Sequence, residues 1–117
     1  MPPTKRDSAR IERRLVATLT DACETAKAEI PGFEWLTHTV DYTAFPQSLR
    51  VIWVFDTHAN KDQALATGVD QRMRELTAAA LDDAEVAPVQ VDRCVRFDSE
   101  EECQRQHGGD WRVRLQR

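Results

Sequence analysis

LRVIWVFD, residues 49–56, decides the fold class. Leu49, Val51, Trp53 and Phe55 alternate onto one side of an extended chain, and Ile52 and Val54 fall on the other. A strand that is apolar on both sides is expected at the centre of a sheet, covered above and below. Just upstream, FEWLTHTVDYTAF (33–45) is rich in aromatic, β-branched and Thr residues and reads as a second strand. One of its faces carries Leu36, His38, Val40 and Tyr42, the other Trp35, Thr37, Thr39 and Thr43. Pro46 stands at the first corner of a turn between them, so the two strands are expected to form an antiparallel hairpin.

Helical signals flank this hairpin. Ile11, Leu15, Leu19, Ala22, Ala26 and Ile30 recur every three or four residues, predicting a long first helix from Thr4 or Asp7 to Glu29, stopped by Pro31-Gly32. Asn60 and Gln63 form a capping-box pattern ahead of a stripe of Leu65, Val69, Met73, Leu76 and Ala80, predicting one continuous second helix that fades at Asp82-Asp83. Residues 89–97 read as a third strand with Val89, Val91, Val95 and Phe97 on one face, interrupted by Arg93. Ser99 and Glu102 make another capping box, and Gly108-Gly109 closes the short helix that follows. The last stretch, DWRVRLQR, alternates Trp111, Val113 and Leu115 against Arg112, Arg114 and Gln116, predicting a final strand with one buried and one basic face. The expected architecture is α+β in the order α-β-β-α-β-α-β. It is a single two-layer domain over 1–117, with a mixed four-stranded sheet, a long N-terminal helix and residues 1–6 as a candidate flexible arm.

The 117 residues suit one domain with one core. No apolar run approaches the roughly 20 residues that a bilayer requires. MPPTKRDSAR has basic residues but no apolar stretch behind them, so a cytoplasmic protein is expected. Cys23, Cys94 and Cys103 are odd in number and widely spaced, with no CxxC, which fits packing better than a disulfide framework or zinc site. Formal net charge is -4, which excludes a protein that coats nucleic acid. Position matters, however: residues 1–14 carry +3, residues 15–110 carry −10 and residues 111–117 carry +3. Arg6, Arg10, Arg13 and Arg14 with Arg112, Arg114 and Arg117 would form one basic patch if the two ends met, a candidate nucleic-acid surface. The alternative is a solvated face with local pairs such as Asp7–Arg10.

Chemistry-bearing groups are few. Asp56 and His58 follow the central strand, where α/β proteins often place ligands, and could reach a metal or a proton together. His38, on the neighbouring strand, could pair with Asp56. These three are the weak catalytic candidates for a small hydrolase or nuclease. The bland readings are a turn carboxylate, a solvated imidazole and a satisfied, partly buried imidazole. A nuclease-like cluster of Glu24, Asp41 and Asp56 lacks the E-x-K expected after Asp56. His107, ahead of Gly108, is expected to meet the helix C-terminus, which favours a cationic ring. No phosphate-binding Gly-rich loop, G-x-S-x-G or H-E-x-x-H occurs, so neither metal nor cofactor is expected.

At FPQSLRVIWVFDT (45–57), FDSEEECQRQHGGDW (97–111) and PGFEWLTH (31–38) the sequence resembles a group of small uncharacterised proteobacterial proteins. Such proteins sometimes carry the label "Fis family transcriptional regulator". The resemblance takes in most of the chain. The label implies a helical dimer whose C-terminal helix-turn-helix enters the major groove. Here the C-terminal third reads strand, short helix, Gly-Gly, strand, with no recognition helix close behind the first helix. The resemblance therefore implies no activity or site residue at these positions. The expected function is non-enzymatic binding, to a protein partner or as a homodimer. Nucleic-acid association through the basic ends is the alternative, and a small hydrolase or nuclease is the third reading.

Overall fold

The computed structural model describes residues 4–86 and 90–116. Helix α1 (Lys5–Glu29) starts where the Thr4 hydroxyl accepts the Asp7 amide at 3.1 Å, so Lys5 and Arg6 are helical, while residues 1–3 of the candidate arm lie outside the described residues. Its buried stripe is Leu15, Leu19, Ala22 and Ala26. Strands β1 (Phe33–Thr39) and β2 (Arg50–Phe55) pair antiparallel, with Leu36 opposite Trp53 and His38 opposite Val51. Their connection is longer than a tight turn. It holds a 3-10 turn at Tyr42–Ala44, capped by Asp41, and a cis Phe45–Pro46 bond. Helices α2 (His58–Ala66), α3 (Val69–Asp83) and α4 (Val91–Cys94) then lead to strand β3 (Val95–Ser99), which lies parallel to β2. Helices α5 (Glu100–His107) and α6 (Trp111–Leu115) end the described chain.

The fold is mixed α+β with a long N-terminal helix, as expected, and β2 is the central strand of the order β1-β2-β3. Val51, Trp53 and Phe55 face α1 and α3, and with Leu15, Leu49 and Met73 they form the fully buried centre of the core. Thr77 on α3 is buried with them; its hydroxyl accepts the Trp53 indole N–H at 3.1 Å and donates to the Met73 carbonyl at 2.8 Å. Ile52 and Val54 are also buried, on the second face. There Trp35, beside Val54, packs edge-on against Trp111 of α6, and Asp98 of β3 pairs with Arg114. Helices thus cover both faces, giving three layers rather than two.

Four details correct the sequence reading. The sheet has three strands, because DWRVRLQR folds as α6. Asp110 caps it by accepting the Val113 amide at 3.2 Å, and the residues turned inward are Trp111, Arg114 and Leu115, a three-four spacing. Val113, expected inside, is half exposed. The third strand begins only at Val95, since residues 91–94 make a helical turn that absorbs the break at Arg93; Val89 lies outside the described residues. The second helix is two helices, divided at Gly68, whose φ of 82° is left-handed and ends α2. Its cap is Thr57, not Asn60: the Thr57 hydroxyl accepts the Asn60 amide at 3.1 Å.

The Trp53–Thr77 contact yields a stability prediction. Thr77→Val keeps the volume but leaves a buried indole N–H with no acceptor, and should cost about 1–3 kcal/mol in urea unfolding with an unchanged m-value.

Candidate functional site

The parallel strands β2 and β3 end side by side, so the first turns of α2 and α5 adjoin. Asp56 and His58 stand here, as expected. The Asp56 carboxylate accepts the Thr57 amide at 2.7 Å and the Asn60 side-chain amide at 2.8 Å, which makes it a turn carboxylate. The His58 amide donates to Glu101 at 2.9 Å, and the Glu101 amide donates to the Asp56 carbonyl at 3.2 Å, lacing the two helix starts together. The His58 ring lies 2.7 Å from Glu102 at Nδ1 and 2.9 Å from Asp62 at Nε2. The ring thus stands between the two carboxylates and bridges α2 to α5. Lys61 donates to Glu102 at 2.7 Å as well. Burial opposes the charge on Glu102, but the hydrogen bonds from Lys61 and His58 outweigh it and hold its pKa at about 2 instead of 4.5.

His38 does not meet Asp56. The register sets it opposite Val51, while Asp56 lies beyond the far end of β2. Its Nε2 instead donates to both oxygens of Glu12 on α1 at 3.0 Å, and the Tyr42 hydroxyl donates to the same carboxylate at 2.8 Å. Burial raises the Glu12 pKa, yet these two donors bring it below the ordinary value. The imagined Glu24–Asp41–Asp56 cluster is not assembled: Asp41 accepts the amide and hydroxyl of Thr43 in its own turn. Among the described residues, no group of three or more His, Cys, Asp or Glu side chains is arranged to hold a metal. No helix among them is long and apolar enough to cross a membrane.

Among the described residues, the two basic ends lie in different layers. Helix α1 packs on α3 and β1 over the first sheet face, and α6 packs on α5 over the second. Arg10 is paired with Asp7 at 2.8 Å and Arg14 with Glu85 at 2.8 Å; Arg117 lies outside the described residues. Arg114 is only 4% exposed. Its guanidinium grips Asp98 through Nε at 2.6 Å and Nη2 at 2.8 Å, and Nη1 donates to Gln106 at 2.8 Å. Nη1 also donates to His107 Nδ1 at 3.2 Å, so the His107 ring turns toward Arg114. Next to this pair, the indole N–H groups of Trp35 and Trp111 both donate to Glu100. The rings meet at 83° with centroids 4.8 Å apart. An i, i+3 reading of Trp111 and Arg114 was the available signal for this cluster, and the alternating pattern masked it.

All three cysteines are free thiols, with Cys94 and Cys103 buried and Cys23 half-buried. Burial raises the pKa of each, which opposes thiolate chemistry. With this geometry in view, comparison with known proteins is brief: no family model, curated protein or solved structure matches the chain.

Two outcomes follow. Asp98→Asn removes the carboxylate that Arg114 grips through two nitrogens, leaving Glu102 at 3.8 Å as its nearest negative charge, and should cost about 3 kcal/mol in chemical denaturation. Glu102 contributes stability that is complete above pH 4.5 and is lost as pH falls toward about 2, because its folded pKa is the lower one. In Glu102→Gln, the acid limb of a stability–pH titration should flatten in that window.

Proposed function

We propose that this domain is a small non-catalytic binding module that pairs with a second copy of itself along the outer edge of β1. One observation carries the reading: β1 is an edge strand beside an open, largely uncharged groove. Edge strands that must stay single are blunted by Pro, Lys, bulges or short length. A bulge between Phe33 and Trp35, with Glu34, guards the start of β1, but Trp35–Thr39 contains neither Pro nor Lys. The groove between α1 and β1 has a volume of about 300 Å³ and is lined by Val16, Leu19, Thr20, Cys23, Leu36 and His38, among others. Val16 is 49% exposed there. An antiparallel β1–β1 pairing is self-complementary, as a two-fold dimer requires, and brings the apolar strips of two α1 helices together.

Support for catalysis at His38, Asp56 and His58 is weak, because each makes its hydrogen bonds in a different local structure. Support for nucleic acid at the two ends is weak because Arg10, Arg14 and Arg114 are paired and, although Arg6, Arg13 and Arg112 are not among the described residues, α1 and α6 pack over opposite sheet faces. Helix α6 follows α5, but its five residues and inward-turned Arg114 lend no support to a recognition helix of the kind the Fis label implies.

Light scattering on the whole chain should give a mass near twice 13.4 kDa. Val16→Arg, at an exposed position, should restore the monomer without lowering Tm. A wild-type monomer at high concentration would overturn the reading.

A further inference from the structure

Ion pairing separates the described arginines into two sets. Arg10, Arg14, Arg72, Arg74, Arg105 and Arg114 each have a carboxylate within ion-pair reach. Arg6, Arg13, Arg50, Arg93, Arg96 and Arg112 have none among the described residues, although acidic groups outnumber basic ones 20 to 16. Of these, Arg50, Arg93 and Arg96 are gathered in space at two adjoining clefts. Arg50 opens β2, Arg96 is the second residue of β3, and Arg93 sits in α4 just ahead of it. Arg50 and Arg93 line a cleft of about 410 Å³ with Pro46, Leu49, Gln90 and Cys94. Arg50 and Arg96 line the adjoining cleft on the second sheet face.

Two of the guanidinium groups are held in place. Arg50 Nη1 donates to the carbonyls of Gln47 at 2.8 Å and Leu49 at 2.9 Å. Arg96 Nη1 donates to the carbonyls of Arg93 at 2.6 Å and Val95 at 2.9 Å. Each is thus tethered by one nitrogen, and its Nε and Nη2 have no hydrogen-bond partner among the described residues. Gathered cations repel one another, and an anion between them would relieve the repulsion. The planar fork of N–H donors matches the oxygens of a phosphate group.

We infer that the cleft lined by Arg50 and Arg93 binds the phosphate group of a small organic phosphate, whose non-phosphate part lies against Pro46, Leu49 and Cys94. The volume falls within the roughly 300–1,000 Å³ typical of small-molecule sites. The walls combine those apolar surfaces with the side-chain amides of Gln47 and Gln90. A long polyanion fits less well, because residues 15–110 carry −10 in total and would repel a backbone extending beyond the cleft. The site is separate from the β1 edge, so it stands whether or not the chain dimerises.

Calorimetric titration with phenyl phosphate and with inorganic phosphate, at constant ionic strength, tests the inference. Phenyl phosphate should bind saturably at one site per chain, and inorganic phosphate more weakly, because it lacks the ring that meets Leu49 and Pro46. Arg93 makes no side-chain hydrogen bond among the described residues, so Arg93→Gln should keep the wild-type circular dichroism and weaken phenyl phosphate at least about tenfold, which is roughly 1.4 kcal/mol. Arg50→Gln, at the other arginine lining this cleft, serves as the second variant if Arg93→Gln does not fold. Absence of saturable phenyl phosphate binding, or equal affinity in a folded variant, would overturn the proposal. So would binding of a single-stranded oligonucleotide without binding of phenyl phosphate.

Discussion

Val51 to Phe55 are five consecutive buried residues, and so β2 has no face that water can reach. A sheet of three strands is narrow, and burying both sides of its middle strand requires a helical layer on each. The first layer is conventional: α1 and α3 contribute Leu15, Leu19, Met73 and Leu81 against Val51, Trp53 and Phe55. The second is made by the short helices α5 and α6, which have little apolar surface to offer. It is anchored by polar contacts instead, with Arg114 on Asp98 and two indoles on Glu100.

That arrangement explains why so many charged groups that looked chemical are structural. Glu12 joins α1 to β1 and the following turn through His38 and Tyr42. Glu102 draws His58 and Lys61 of α2 toward α5, and its low pKa is a measure of that attraction. Asp56 orders the turn that starts α2. Arg50, Arg93 and Arg96 share with Arg6, Arg13 and Arg112 the lack of an acidic partner among the described residues, and what sets them apart is that they line two adjoining clefts.

Parts of this were legible in the chain. The two-sided apolar pattern of 49–56 located the central strand, and the Ile11-to-Ile30 period located α1. Ser99 does accept the Glu102 amide at 3.1 Å, and Gly108 does take a left-handed conformation, because both signals depend only on neighbours in sequence. The candidate site was less legible. Asp56 and His58 were placed correctly at a strand end, but their partners Glu101 and Glu102 come from more than forty residues away. Arg50, Arg93 and Arg96 are unremarkable in sequence, since the absence of an acidic partner is a property of space.

The sequence by itself determined which segments are apolar on one side or two, where the capped helices begin and where glycine ends them. These are local matters of period, side-chain hydrogen bonding and backbone freedom. Only the tertiary structure decided the state of residues 111–115. Trp111, Val113 and Leu115 fit a strand in isolation, but Asp98 and Trp35 on the second face favour Trp111 and Arg114 on one side, a spacing that a helix supplies. It also decided that α1 and α6, which carry the described basic residues of the two ends, cover opposite faces of the sheet. Charge summed along a chain carries no information about which helix covers which face; the burial of Ile52 and Val54 by the C-terminal segment does.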